Sequence, residues 1–325
     1  MDAITRMSLD GLEAKMTSTK VSVVITCYNH GRFLAEAIES VLEQSFSQWE
    51  LIVVDDGSID ESSEIASGYP EVKVVRQQNL GLAAARNAGL AASSGEYVVF
   101  LDADDRLLPD ALEIGAARLD AHQDCAFAYG RYRLITLDGK RIPWAQRQSI
   151  EGEPYLRLLL SNYIGMHAVV IYRRTIFDQV GGFNTSLAAC EDYEMYLRIT
   201  RSHTIYRHNE MVAEYRQHDS NMSLNSDLML KHSISVLNSQ WRYARGNSAA
   251  RAAYRAGVTN WRDCYGKKLL GSMSFRISER AWKRVIGGAI ILLRYYPSGV
   301  AHKAAKVFKR MALHAPRSFS IKAFR

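Results

Sequence analysis

Residues 21–46 read VSVVITCYNHGRFLAEAIESVLEQSF, and the fold follows from the change of period inside this stretch. Val21, Val23, Val24 and Ile25 form a β-branched apolar run without alternation, the pattern of a strand covered on both faces, which ends near Cys27. From Gly31 to Gln44 the apolar positions become Phe33, Leu34, Ala37, Ile38, Val41 and Leu42, the spacing of an amphipathic helix. The turn between them, Tyr28-Asn29-His30-Gly31, lacks the GxGxxG run that lets a backbone approach a pyrophosphate, which disfavours a dinucleotide-binding unit.

The unit repeats downstream. Residues 51–54 form a second apolar run, and Ser58 with Glu61 has the spacing of a capping box that opens a helix. Residues 72–75 read as a third strand, 82–92 as an Ala-rich helix and 97–101 as a fourth strand. This alternation predicts an α/β fold: a mixed, mainly parallel sheet flanked by helices, with right-handed crossovers. After Pro109 the pattern becomes mixed, with a helix through Leu119, strands such as 127–136, a turn at Asp138-Gly139 and a helix over about 154–161. From about Asp227 several helices interleave Arg and Lys with Trp241, Tyr243, Tyr254, Trp261, Trp282, Tyr295 and Tyr296. Residues 1–19 have no period and read as a flexible leader.

A chain of 325 residues, 47% of them apolar, is long enough for about two domains and is no small disulfide-stapled module. Cys27, Cys125, Cys190 and Cys264 lie far apart without CxxC spacing, and the N-terminus shows no signal-peptide core, so a reducing, cytoplasmic setting is expected. The longest apolar stretch, 285–293, is about half of what a spanning helix needs. The net charge of +7 conceals a division: residues 1–230 carry 21 Lys and Arg against 32 Asp and Glu, whereas residues 231–325 carry 20 against 2. An acidic body can hold a metal, and a basic tail can meet an anionic surface.

Ligands of an open parallel sheet bind beyond the carboxyl ends of its strands. Those ends carry Thr26-Cys27-Tyr28-Asn29, Asp55-Asp56-Gly57-Ser58 and Asp102-Ala103-Asp104-Asp105. Acidic clusters crowded at one edge repel each other unless a cation or hydrogen-bond donors compensate. The Asp-x-Asp turn offers hard oxygen ligands suited to Mg²⁺ or Mn²⁺, which neutralise a diphosphate, as nucleotide-sugar transfer requires. Ser58 is read primarily as a helix cap, and His30 and His167 are weaker metal candidates than His218.

Over about residues 20–220 the sequence resembles the family 2 glycosyltransferases, inverting nucleotide-sugar-dependent enzymes of the GT-A fold. The resemblance rests on the segment 21–46 together with ELIVVDDGSID at 50–60, NLGLAAARNAGL at 79–90, GEYVVFLDADDRLLPDAL at 95–112 and GGFNTSLAACEDYEMYLRI at 181–199. It implies a GT-A domain over 20–226, with a nucleotide-binding half at 20–108 and an acceptor half at 109–226, before a basic helical region at 227–325. It also implies that Thr26 and Tyr28 border the nucleobase, Tyr28 by stacking, and that Asp56 hydrogen-bonds a base ring nitrogen. Asp102 then contacts the ribose or the metal's waters, Asp104 ligates the metal, and Arg86 lies near the nucleotide. By the same resemblance Asp192, after Gly181-Gly182-Phe183, is the base, and one carboxylate suffices for a direct displacement. Glu191 and Asp105 are weaker contacts. Tyr215-Arg216-Gln217-His218 with Ser223 resembles the segment that closes over the donor phosphates, with Arg216 a contact and His218 completing the metal shell. Ile59 and Cys27 stand where the family commonly has smaller polar residues.

The implied activity is Mn²⁺- or Mg²⁺-dependent transfer of a sugar from a nucleotide-sugar, a UDP-sugar, to a glycan or lipid-linked acceptor in cell-surface polysaccharide biosynthesis. Two other classes remain open: a catalytically silent nucleotide-sugar-binding protein of the same fold, and a sugar-1-phosphate nucleotidylyltransferase. The latter calls for a Gly-rich basic loop after the first strand, which Tyr28-Asn29-His30-Gly31 is not. The basic tail has three readings, solvated helices, a nucleic-acid surface or a peripheral contact with the inner face of the plasma membrane, of which the last is favoured. Trp282, Ile286, Ile290, Leu293 and Tyr296 would enter the interface while Lys283, Arg284 and Arg294 meet anionic lipid. No nucleic-acid partner is expected.

Overall fold

Val21, Val23, Val24 and Ile25 are solvent-free in β1 (Val21–Cys27), because parallel partners flank it on both edges and helices cover its faces. Those partners are β2 (Trp49–Asp55), with β3 (Val72–Arg76) beyond it, and β4 (Tyr97–Asp102) on the other side. The structure, a computed structural model, describes residues 19–144 and 152–314, with side chains through 306. Apart from Thr19, the expected leader lies outside the described residues, as does the tail's last segment, 315–325.

Helix α1 (Gly31–Leu42) buries Phe33, Leu34, Ala37, Ile38 and Val41 against the sheet, as its spacing requires. The Ser58 capping box does not form. Helix α2 (Ser62–Ser67) starts four residues later, and Asp60 Oδ1 accepts the Ser62 N–H at 3.1 Å. Ser58 Oγ is instead taken by the Asn29 N–H at 3.0 Å, a bond between loops that displaces the local cap. Helix α3 (Leu82–Ala92) lies so close to β1 that a Cβ at Gly89 would stand 2.1 Å from Val24 Cγ1.

Beyond β4 the sheet changes sense. Strands β5 (Arg106–Leu107), β6 (Cys125–Ile135), β7 (Arg141–Ile142), β8 (Val170–Arg173) and β9 (Thr204–Arg216) complete a mixed nine-stranded sheet in the order β3-β2-β1-β4-β8-β6-β9-β5, with β7 on β6. The β4/β8, β6/β8, β5/β9 and β6/β7 pairs are antiparallel, and the β6/β9 pair is parallel with register shifts. Helices α4 (Ala111–Ala121), α5 (Pro154–Leu160), α6 (Ile176–Val180) and α7 (Glu191–Thr200) connect these strands. The Glu153 carboxylate caps α5 by accepting the Tyr155 and Leu156 N–H groups.

The basic region is helical, as expected: α8 (Ser226–Ala244), α9 (Ser248–Trp261), a π-helical turn (Arg262–Gly266), α10 (Lys267–Ser278), α11 (Trp282–Tyr295) and α12 (Pro297–His314). Its first two helices fold back onto the body, where Val236, Leu237, Ala244, Ala250 and Ala253 join the sheet's own core. A smaller core gathers Leu230, Ile234, Tyr265, Leu269, Leu292 and Tyr296. Tyr296 therefore points inward, contrary to its expected place in a membrane interface, because its ring packs on Gly266. Among the described residues no helix is long and apolar enough to cross a membrane. All four cysteines are free.

Candidate active site

The parallel register sets Thr26 beside Asp102 and Cys27 beside Asp55, so the three acidic strand ends do meet at one edge. Thr26 Oγ1 donates to Asp102 Oδ1 at 3.2 Å. The next residue but one, Tyr28, keeps 45% of its surface exposed at the cavity, leaving a ring face free for stacking. Asn29 holds a left-handed backbone (φ 55°), and its Oδ1 accepts the Ile59 N–H at 2.9 Å, tying the first two strand-end loops together. Asp56 is buried and accepts three hydrogen bonds, from Gln77 Nε2 (2.6 Å) and from the Leu80 and Gly81 N–H groups (both 2.9 Å). With about four lone-pair positions on a carboxylate, Asp56 retains one for a ligand. Gly57 (φ +79°) is required beside it, since a Cβ would lie 2.8 Å from the Asn79 backbone nitrogen.

At the end of β4, Asp104 meets two imidazoles. His218 Nε2 is 2.9 Å from Asp104 Oδ2, and ligand atoms of His30, Asp104 and His218 all lie within 4.8 Å of one another. The His218 ring stacks on Phe33 at 5.2 Å, and its Nδ1 is 2.7 Å from Ser220 Oγ, which fixes its orientation. Burial alone would raise the Asp104 carboxyl, but the His218 hydrogen bond and the adjacent imidazoles hold it below its ordinary value. One carboxylate with two imidazoles is a donor set that fits Mn²⁺ better than Mg²⁺, which prefers oxygen throughout. His30 ranked below His218 in the sequence because only ring placement, not spacing, reveals its approach to Asp104.

Asp105 lies behind this trio, accepting the Arg216 N–H at 2.9 Å, and burial together with Asp104 and Asp102 pushes its carboxyl well above its ordinary value. Arg216 is fully buried and does not line the cavity. Its guanidinium donates to Glu36 Oε2 (2.6 Å) and to the Asp104 (2.9 Å) and Leu137 (2.7 Å) carbonyls, bracing the Asp104 backbone rather than contacting a ligand.

Opposite the strand ends, α7 begins at Cys190, whose left-handed φ of 63° is uncommon for a side chain of this kind and turns Glu191 and Asp192 into the first helical turn. A helix N-terminus favours such carboxylates. The preceding Gly181-Gly182-Phe183 segment is clasped to α3, where Asn87 Oδ1 accepts the Phe183 N–H (2.7 Å) and Nδ2 donates to the Phe183 carbonyl (2.9 Å). Arg86, also on α3 and almost fully buried, donates to Glu191 Oε1 (2.5 Å) and Asp102 Oδ1 (2.8 Å), so it links the two walls. Burial, only partly offset by Arg86, pushes Glu191 up to about 7. The Asp192 carboxyl is raised by burial and by Asp102 against the opposing pull of Arg86. Its Oδ1 accepts the Tyr193 N–H at 2.6 Å.

Thr26, Tyr28, Asp56, Arg86, Asp102, Asp104, Asp105, Glu191 and Asp192 all line one cavity of about 660 Å³, a size within the range of ligand clefts. Its far wall was not foreseen: Met166, Met229, Trp261 and Tyr265 close it, the last three from the basic region. Trp261 and Tyr265 stack nearly parallel (5.6 Å, 3°) across the π-helical turn, and Trp261 Nε1 donates to Tyr193 OH at 3.4 Å.

The sequence profile of glycosyl transferase family 2 matches residues 22–181. TuaG of Bacillus subtilis (strain 168), a glycosyltransferase named for teichuronic acid biosynthesis, is 32% identical over 219 residues, covering 65% of this chain and 84% of TuaG. The chain belongs to glycosyltransferase family 2. The family profile takes in Thr26, Tyr28, Asp56, Arg86, Asp102 and Asp104, while Glu191, Asp192 and His218 lie past its end. Several longer relatives are spanned over about a third of their length. The fold is GT-A. Staphylococcus aureus TarS 1–349 in complex with UDP-GlcNAc superposes with a TM-score of 0.54 at 18% identity, over 86% of this chain and 92% of that one. The Pyrobaculum calidifontis mannosyltransferase PcManGT, in complex with GDP-Man and Mn²⁺, gives 0.55 at 16% identity, over 85% and 87%.

Proposed function

We propose that this family 2 glycosyltransferase moves a sugar from a UDP-sugar to a hydroxyl of a glycan or lipid-linked acceptor, with inversion, in cell-surface polysaccharide biosynthesis at the inner face of the plasma membrane. The observation that carries this is one cavity with Asp102 and Asp104 on one wall and Asp192 on the other. Tyr28 stacks on the base, and the remaining acceptor position of Asp56 takes a ring N–H. Asp104, His218 and His30 hold Mn²⁺ or Mg²⁺. When bound, the cation supplies positive charge to the diphosphate leaving group. Asp192 Oδ2, left free by the Tyr193 bond to Oδ1, takes the acceptor hydroxyl's proton as the new C–O bond forms and the C–O bond to phosphate breaks on the opposite face. Arg86 holds Glu191 in place beside it.

The donor supports this reading by analogy: UDP-GlcNAc is bound in TarS, and TuaG is named for a cell-wall polymer. Nucleotide release from a panel of UDP-, GDP- and dTDP-sugars, measured with Mn²⁺, tests it. Release from UDP-sugars alone is expected; release confined to GDP-sugars would contradict the base assignment, and none from any donor would favour a silent binder.

A further inference from the structure

We propose that the outward face of α11 docks on an anionic lipid bilayer. Trp282, Ile286, Ile290 and Leu293 are 57%, 60%, 60% and 63% exposed. Their 4, 4, 3 spacing confines them to an arc of about 80° and a stripe about 17 Å long. Exposed Phe275 and Ile277 lie just upstream, at the end of α10. This stripe is not the helix's packing face: Gly288 and Leu292, on the other side, are buried, Leu292 in the smaller core with Tyr265 and Leu269. The helix is therefore anchored from behind while its apolar stripe faces outward.

Charge identifies the occupant. On the helical wheel Lys283 and Arg294 line one edge of the stripe, both exposed, and neither they nor Arg280 and Arg284 have an ion-pair partner among the described residues. Beyond residue 230 the chain carries 20 Lys and Arg against 2 Asp and Glu. A second copy of the chain would bring two such surfaces together and repel, and a polyanion without an apolar phase would leave the aliphatic stripe in water. A bilayer with anionic headgroups satisfies both: acyl boundary for the stripe, phosphate for the cations along its edge. Tyr265, which shares the smaller core with Leu292, also lines the active cavity, so that core lies between the docked face and the cavity. A role in presenting a lipid-linked acceptor rests on the proposed transfer; the docking does not.

The test is flotation of the full chain with vesicles of phosphatidylcholine alone or mixed with phosphatidylglycerol, at low and high salt. The wild type is expected to float with the anionic vesicles, less so at high salt, and W282A/I286A/I290A/L293A to bind them at least about tenfold more weakly while melting like the wild type. Should that variant not fold, Lys283→Glu/Arg294→Glu is expected to show the same loss. Failure of the wild type to float with anionic vesicles at low salt, or equal flotation by a folded variant, overturns the proposal. A wild-type dimer that the variant loses, without vesicle binding, overturns it in favour of self-association.

Discussion

Arg86 and Glu191, 105 positions apart in sequence, form a 2.5 Å ion pair with both side chains almost wholly buried. The same guanidinium reaches Asp102, so one cation joins the strand-end wall of the cavity to the first turn of α7. Removing it leaves two carboxylates facing each other without compensation. Arg86→Met is expected to cost about 3–5 kcal/mol in thermal or urea unfolding, and adding Glu191→Leu to recover part of that loss. A neutral effect of Arg86→Met would show that the pair does not hold the walls together.

Asp192→Asn keeps the shape of the side chain and removes its capacity to take a proton. Transfer is expected to fall about a hundred- to ten-thousand-fold in steady-state assays while donor affinity stays unchanged. A variant that retains wild-type turnover would exclude Asp192 as the base.

The raised carboxyls set the pH dependence. A base must be anionic to act, so turnover is expected to fall as pH drops, through an apparent pKa that belongs to the Glu191–Asp192 pair and lies above the ordinary Asp value, up to about 7. For stability the sign is opposite. Glu191 binds its proton more tightly in the folded chain, so its contribution is present below its ordinary value of 4.5 and lost as pH rises through about 7. Glu191→Gln should flatten that part of the melting-temperature profile, and an unchanged profile would count against a raised Glu191.

The contact of the basic region with the body is also testable. A Cβ at Gly257 on α9 would stand 1.8 Å from the Leu159 carbonyl oxygen, whereas Gly271 on α10 has nothing within 4 Å. Gly257→Ala is expected to destabilise by about 1–3 kcal/mol or more, and Gly271→Ala to stabilise by about 0.5–1 kcal/mol, as read by thermal denaturation. Equal effects would mean that α9 does not rest on α5.

The parallel half of the sheet was legible because Val21, Val23, Val24 and Ile25, like Leu51 to Val54, are buried on both faces, and burial on both faces writes itself as an unbroken apolar run. The strand-end carboxylates were legible for the same reason: once the runs are found, topology alone places Asp102 and Asp104. His30 was legible only as a weaker candidate, because its approach to Asp104 and His218 depends on ring orientation across two loops. Trp261 and Tyr265 carried no local signal either, since nothing in a basic helical stretch says that it folds back over a cavity formed by residues far upstream. Ser58 was misread through a local capping pattern, and Arg216 through the resemblance of its segment. Long-range bonds, to Asn29 in one case and to Glu36 and the Asp104 carbonyl in the other, decide where they point.

The most direct measurement is calorimetric titration of UDP-sugars into wild type, Asp104→Ala and Asp192→Asn, each with and without Mn²⁺. Metal-dependent binding to wild type and Asp192→Asn, abolished in Asp104→Ala, is the expected result. Binding of equal strength to Asp104→Ala, or binding to the wild type that is indifferent to the metal, would contradict the placement of the donor diphosphate at Asp104.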